Sequence, residues 1–428
     1  MKSIRQIAAE ALLELQNKNA WSNLTLNQKI CQYKLEGRDI AFFSMLFYGV
    51  LERLITLDAC IAAHSKTPVK KLSKEVLVSL RTGIYQLLYM NSVPDHAAVA
   101  ESVELVKKLR KAQAAGFVNG VMRSFLRGEK KIPVPKGPLQ KRLSVEYACP
   151  EEIVELWLES YGEDFTKKTL GQSLGRPPVY IRANTLRVSM DKLASLLSSR
   201  GVTAVPDGEL ENCLAIEKFG AVYDLPEFQS GLFHVQDKSS QICALSLNAA
   251  GCTRVLDACA APGGKSFTVA QIMGGKGEIV SCDVHPARVG LISKRADEMG
   301  LWNISARVAD SAVFDEKLGL FDRVLCDVPC SGLGVIRRKP EIKMKGVSEF
   351  ASLPDLQYNI LENTSRYVKP GGRIVYSTCT LNPNENELVA ERFAVNHPLF
   401  LKSGEFVTTP LENGSDGFFI AAFTRRGE

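Results

Sequence analysis

The amino-acid sequence predicts a multidomain fold: an all-α N-terminal bundle, a small α+β middle unit, and a C-terminal α/β sheet of the Rossmann-like, doubly wound kind. Length is the first reason, since 428 residues exceed one ordinary core and about 150 residues per domain gives two or three. The second is a change of period. Apolar residues recur every three or four positions as far as Gly128, whereas from Gly231 short strand-like runs alternate with helical ones. The third is the stretch between, Glu129–Pro150, which is basic, proline-rich and aperiodic and reads as a linker. The expected divisions are 1–130, 131–150, 151–230 and 231–428.

In chain order, IRQIAAEALLELQ, GRDIAFFSMLFYGVLERLITLDACI, SKEVLVSLRTGIYQLLYM, HAAVAESVELVKKLR and AGFVNGVMRSFLRG each read as an amphipathic helix. Pro68 with Ser73, and Val93-Pro94-Asp95, mark boundaries among them. Pro150-Glu151-Glu152 then opens a helix running through Trp157 towards Tyr161, with acids near its positive end. In the middle unit VYIRANTL is strand-like, Ser189 caps a helix that stops at Gly201, and LENCLAIEKF is a second strand. Beyond Gly231, strands are legible at TRVLDAC, GEIVSCD, ISARVAD, FDRVLCD and GGRIVYST. FLKSGEF and GFFIAAFTR supply late strands suited to an antiparallel edge.

The N-terminus lacks the apolar core of a signal peptide, and the most apolar run, Ile40–Leu51, is too short to span a bilayer; a cytoplasmic protein without membrane contact is expected. Eleven dispersed cysteines with no CxxC pair indicate reduced thiols, and the five distant histidines give no zinc spacing, so no metal is expected. Charge is uneven. The net charge is +6, yet residues up to Arg142 hold 23 Lys+Arg against 11 Asp+Glu. A basic surplus confined to one segment points to a polyanionic partner, with Lys107, Lys108, Arg110, Lys111, Arg123 and Arg127 placed for phosphates.

The chemistry gathers at strand ends, where ligands bind in open parallel sheets. Leu256–Lys265, LDACAAPGGK, follows the first of these strands and opens a helix, and its small residues and glycines allow close backbone approach to a ligand. It is neither GxGxxG nor GxxxxGKS, which disfavours a dinucleotide and a nucleoside triphosphate. Asp283 closes the next strand, where a carboxylate can accept both hydroxyls of a ribose, and Asp310 ends the third, where it can meet an adenine amino group. Cys330, in Asp327-Val-Pro-Cys, and Cys379, in Ser-Thr-Cys, sit after two further strands. Either thiol is a possible nucleophile, and spacing alone does not choose between them. The bland reading of a cysteine in an apolar strand, a small buried hydrophobe, suits Cys243, Cys252, Cys282 and Cys326. Arg337-Arg338-Lys339-Pro340-Glu341 is either a phosphate-holding turn or a solvated loop.

DACAAPGGK, SCD, VAD, DVPCSGLG and YSTCT, in that order, resemble the 5-methylcytosine RNA methyltransferases that use S-adenosylmethionine. FVNGVMRSFLR on a helical bundle is similar to the NusB-like RNA-binding domain of the branch acting on a cytidine of 16S ribosomal RNA. The resemblance implies methyl transfer to carbon 5 of that cytidine. It gives Cys379 the attacking role and Cys330 a part in releasing the methylated base. It carries over Cys259, Ala260, Ala261, Pro262, Gly263, Gly264, Lys265, Asp283 and Asp310 as cofactor contacts, with Asp327 beside base or cofactor and Pro383–Glu387 as scaffold. Two other readings compete. A non-enzymatic RNA-binding protein with a relic sheet leaves the glycine loop and both cysteines idle, and a nicotinamide-dependent enzyme gives Cys379 no role.

Overall fold

A computed structural model of the chain describes residues 2–18, 21–218, 222–409 and 414–427. They fall into two compact units: one runs to Arg176 and also takes in Ile336–Val347, the other holds Pro177–Val335 and the chain from Ser348 onward.

The first unit is all helical. Its elements are α1 (Ile4–Lys18), α2 (Ser22–Tyr33), α3 (Gly37–Glu52), α4 (Leu54–His64), α5 (Lys74–Tyr89), α6 (Asp95–Lys108), α7 (Ala115–Arg127), α8 (Leu139–Tyr147) and α9 (Glu151–Gln172). Phe43, Leu46, Phe47 and Val50 of α3 meet Ile84 of α5 and Phe125 of α7 in one core, all fully buried. At about 2 kcal/mol per large apolar side chain, this burial is the main force holding the bundle.

Four details depart from the sequence reading. Helix α2 was not expected, because Ser22, Thr25, Leu26 and Lys29 make its buried face and three of these are polar. The single run expected over α3 and α4 breaks at Arg53, where the two helices bend by 75°, and among the described residues no single helix is long and apolar enough to cross a membrane. Part of the expected linker folds as α8, which buries Leu143 and Ser144 and accepts a hydrogen bond from Thr56 Oγ1 at Val145 O. Helix α9, read as running towards Tyr161, continues to Gln172 through a kink at Gly162, whose φ of 81° suits glycine, and packs in the first compact unit.

The second unit holds two sheets. In the smaller, β1 (Val179–Ala183), α10 (Met190–Ser199), β2 (Thr203–Pro206), β3 (Cys213–Lys218), α11 (Pro226–Gln229) and β4 (Phe233–Val235) give an antiparallel order β2-β3-β1-β4. Ser189 caps α10 as expected, accepting from Lys192 N, while Phe219, the expected end of the second strand, lies outside the described residues. The larger sheet follows: α12 (Lys238–Ser246), β5 (Arg254–Asp257), α13 (Gly264–Ile272), β6 (Glu278–Asp283), α14 (Pro286–Met299), β7 (Ile304–Val308), β8 (Phe321–Asp327), α15 (Leu353–Ser365), β9 (Val368–Thr378), α16 (Glu387–Asn396), β10 (Phe400–Thr408) and β11 (Phe418–Arg425).

Strand order is β10-β11-β9-β8-β5-β6-β7. The five strands from β9 to β7 are parallel, and β11 pairs antiparallel with both β9 and β10. This is the doubly wound sheet with an antiparallel edge that the sequence predicts. Tyr376, Phe321, Phe393, Phe419 and Phe423 are fully buried against its faces. Chain order reverses at β5, which pairs with β6 on one side and β8 on the other, and the crevice of such sheets lies at that switch point.

Candidate active site

Register places the carboxyl ends together. Asp257 of β5 lies beside Ser281 of β6 and Leu325 of β8, and Asp327 of β8 lies beside Ser377 of β9. The loop after β5, Ala258–Gly263, is pinned from both sides: Ala258 N donates to Leu325 O at 2.9 Å and Ala260 N to Cys282 O at 2.7 Å. Ala261–Pro262 is a cis peptide, and Gly263 has a φ of 106°, which favours glycine and ends the loop as α13 begins. The unpaired first-turn N–H groups of α13 thus stand beside a loop of small residues.

Below that loop Asp257 is buried. Its Oδ2 accepts from Ser266 Oγ at 2.6 Å, and Oδ1 has no hydrogen-bond partner; burial pushes its carboxyl up to about 7. Lys265 points from α13 to Asp327, with Nζ 2.6 Å from Oδ2, and Ser377 Oγ donates to the other carboxylate oxygen at 2.8 Å. Burial alone would lower the Lys265 ammonium, but the Asp327 charge outweighs it and raises it above its ordinary value. The lysine therefore answers a carboxylate rather than standing as an unpaired cation.

Cys330 and Cys379 converge, with sulfurs 3.1 Å apart and both residues partly exposed. The contact with the Cys379 sulfur and burial, helped by the charges of Cys379, Glu385 and Asp327, hold the Cys330 thiol well above its ordinary value. Cys243 on α12, Cys282 on β6 and Cys326 on β8 differ: they are buried, and burial pushes each up to about 12. Cys252, also read as a buried hydrophobe, lies in the loop before β5 and is only partly buried. Gly334 sits in the turn after Cys330, its N–H donating to Cys379 O at 3.1 Å.

Asp283 ends β6 as predicted, and Asp310, read as the end of the next strand, lies two residues beyond the end of β7 at Val308. Asp283 Oδ1 caps the N–H of His285 at 2.9 Å and Asp310 Oδ1 caps that of Ala312 at 2.9 Å, so each keeps one carboxylate oxygen outside those caps. A cradle of small residues at a helix N-terminus, with acceptors at the next two strand ends, fits the adenosine, hydroxyl and amino groups of S-adenosylmethionine.

Sequence reasoning missed a polar layer under the cysteines. Glu385 is fully buried and accepts from Ser331, Gln357 and Asn382, and Ser331 Oγ lies 2.7 Å from Thr380 Oγ1. The available signal was the acid-rich Asn382–Glu387 run directly after Thr-Cys379. The basic Arg337–Glu341 turn packs within the helical unit, with Pro340 and Glu341 buried and Lys339 exposed. There Arg337 donates to Gly175 O and Arg176 O, Lys339 lies over the Trp21 ring, and Glu341 accepts from Ser22 N at the start of α2.

Comparison with known proteins agrees with this geometry. Residues 244–424 match the 16S rRNA methyltransferase RsmB/F model, residues 2–127 the NusB family, and residues 149–223 the ferredoxin-like domain of RsmF/B-like methyltransferases. The chain is 35% identical to a probable ribosomal RNA small subunit methyltransferase B of Bacillus subtilis, covering 99% of each, and 32% identical to one of Synechocystis over 98% of this chain and 99% of that one. Among solved structures, a methyltransferase homolog from Pyrococcus horikoshii aligns with TM-score 0.60 at 25% identity, covering 68% of this chain and 99% of that one. The cofactor is S-adenosylmethionine and the substrate ribosomal RNA. The chain belongs to the RsmB/F family of S-adenosylmethionine-dependent ribosomal RNA methyltransferases.

Proposed function

We propose that the protein methylates carbon 5 of a specific cytidine in 16S ribosomal RNA through a covalent cysteine adduct. The observation that carries this reading is the pair of sulfurs, 3.1 Å apart, at the ends of adjacent strands beside the cofactor loop. Carbon 5 of cytosine is a poor nucleophile while the ring stays conjugated. Addition of the Cys379 thiolate to carbon 6 forms a carbon–sulfur bond and moves the electron pair of the 5,6 double bond onto carbon 5. S-adenosylmethionine, when bound, supplies the electrophilic methyl group that carbon 5 takes up. Cys330, beside Cys379, assists the remaining half: the proton on carbon 5 passes to solvent, its electron pair restores the double bond, and the Cys379 sulfur departs as a thiolate.

The residues for holding the cofactor are the Cys259–Lys265 loop, through backbone N–H groups and small side chains, with Asp283 on the ribose and Asp310 at the adenine. Asp327, fixed by Lys265 and Ser377, presents its carboxylate beside the base and the cofactor. The target must be unstacked for a thiol to reach the ring face. The exposed basic residues of α6 and α7 supply affinity for its phosphates.

The test is a pair of variants incubated with 16S RNA and cofactor. Cys379→Ala is expected to lose methylation and the protein–RNA adduct on denaturing gels, whereas Cys330→Ala accumulates that adduct and turns over at least about tenfold more slowly. An adduct formed by Cys379→Ala would overturn the reading.

A further inference from the structure

We propose that Glu385 is a positioning residue for this reaction: it clasps the Pro-Cys330 turn to the Thr-Cys379 turn and so sets the contact between the two sulfurs. The inference rests on the cysteine roles given above and adds to them the group that imposes those roles.

Glu385 is fully buried one residue before the N-cap of α16, and its carboxylate turns inward. Ser331 N donates to Oε2 at 2.8 Å and Gln357 Nε2 to the same oxygen at 2.9 Å; Ser331 Oγ and Asn382 Nδ2 donate to Oε1. Among the described residues no lysine, arginine or histidine pairs with it. All four contacts are donors, so the position demands a group that only accepts, which a carboxylate does and an amide cannot. A buried carboxylate held by neutral donors alone is a costly choice for scaffolding, since an apolar residue could fill the same space without loss of hydration.

What the carboxylate reaches explains the choice. Ser331 follows Cys330 directly, and Gln357, which it also holds, donates to Pro329 O at 3.0 Å, so both residues flanking Cys330 are tied to the same side chain. Ser331 Oγ in turn meets Thr380 Oγ1, next to Cys379, and Thr380 Oγ1 accepts from Leu333 N at 3.2 Å. The two turns come from different strands, and the Gly334 N–H donated to Cys379 O is a further backbone tie between them. The charge has a second effect. Together with burial and the neighbouring sulfur, it keeps the proton on Cys330, so that Cys330 does not compete with Cys379 for carbon 6.

The experiment uses the full chain with Glu385→Gln, which keeps the volume and places an N–H2 group against existing donors. Cofactor binding, measured by calorimetry without RNA, is expected to stay within about twofold of wild type. The turnover rate is expected to fall at least about tenfold with KM for RNA little changed, and the protein–RNA adduct to accumulate as in Cys330→Ala. A readout beyond scaffolding is the pH profile of Cys330 alkylation in the Cys379→Ala background, which Glu385→Gln is expected to displace to lower pH. Ser331→Ala, which keeps Glu385 but removes the Ser331 Oγ contacts to Glu385 Oε1 and Thr380 Oγ1, is expected to trap the adduct too, and decides the matter if Glu385→Gln fails to bind cofactor. Wild-type turnover by either variant overturns the inference while leaving the cysteine roles standing. An adduct in Cys379→Ala alone overturns those roles and the inference with them.

Discussion

Asp257 shows how a single residue can be visible in a sequence while its chemistry is not. An acid at a strand end beside a glycine loop is readable from LDACAAPGGK, but only the folded chain shows that Oδ1 is buried without a partner. Burial raises its carboxyl to about 7 from an ordinary value of 3.8. The sign follows from linkage. Below about pH 4 the group is protonated folded or unfolded and costs nothing; between there and pH 7 only the unfolded chain gives up the proton, so stability falls as pH rises. At about 1.4 kcal/mol for each pKa unit, the penalty reaches at most ~4 kcal/mol above pH 7. Asp257→Asn removes the titration and leaves a pH-independent cost of about 1–3 kcal/mol for its unpaired N–H. Urea melts are therefore expected to show wild type losing about 2–3 kcal/mol relative to the variant between pH 5 and pH 8, and parallel curves would refute this. Lys265 and Asp327 teach the same lesson from the other side. Both were singled out in the sequence, but their 2.6 Å pairing joins a helix start to a strand end, a contact no local pattern encodes.

Among the elements, legibility followed the strength of the period. The five parallel strands are β-branched runs that end in Asp, Val or Thr, and all were readable; so were the amphipathic helices α1, α5, α6 and α7. The misses have physical causes. Helix α2 buries polar residues, and β2 and β4 are only four and three residues long, held by pairing to β3 and β1 rather than by their own pattern. Close backbone approach is equally silent in a sequence. Gly417 N donates to Gly334 O at 2.9 Å, and a Cβ on Gly334 would lie 2.0 Å from Gly417 O. Because the obstruction is backbone, no side-chain rotamer relieves it. Gly334→Ala is expected to destabilise the methyltransferase unit by about 1–3 kcal/mol and to slow methylation, since the same turn carries the Gly334 N–H bond to Cys379 O. Chemical denaturation followed by activity at a fixed folded fraction separates the two effects, and an unchanged midpoint would refute the prediction.

At the scale of the whole molecule, the chain returns once to the helical unit after leaving it. Ile336–Val347, which follows the Pro-Cys turn in sequence, packs there with charges matched to helix ends: Glu341 accepts from Ser22 N where α2 starts, and Lys343 Nζ lies 3.4 Å from Glu52 O where α3 ends. The division into units was only partly legible, because a segment that leaves one domain to complete another has no compositional boundary. Charge, by contrast, was legible at this scale. The basic surplus up to Arg142 lies partly on Lys107, Lys108, Arg123 and Arg127, which are exposed on α6 and α7, although Lys107 is paired with Glu104 at 2.5 Å. An exposed ion pair of this kind is worth little and yields readily to a phosphate. If these residues meet RNA phosphates, binding must weaken with salt, with a logarithmic slope of about 0.7 for each single-stranded phosphate contact. Changing all four to Gln is expected to weaken RNA binding and to flatten that slope by up to ~3, while cofactor affinity, for which the proposed residues lie in the other unit, is expected to stay unchanged. Fluorescence anisotropy across a salt series measures both quantities. A slope unaltered by the four substitutions would move the phosphate contacts off α6 and α7, and with them the reason for a basic helical unit on a ribosomal RNA methyltransferase.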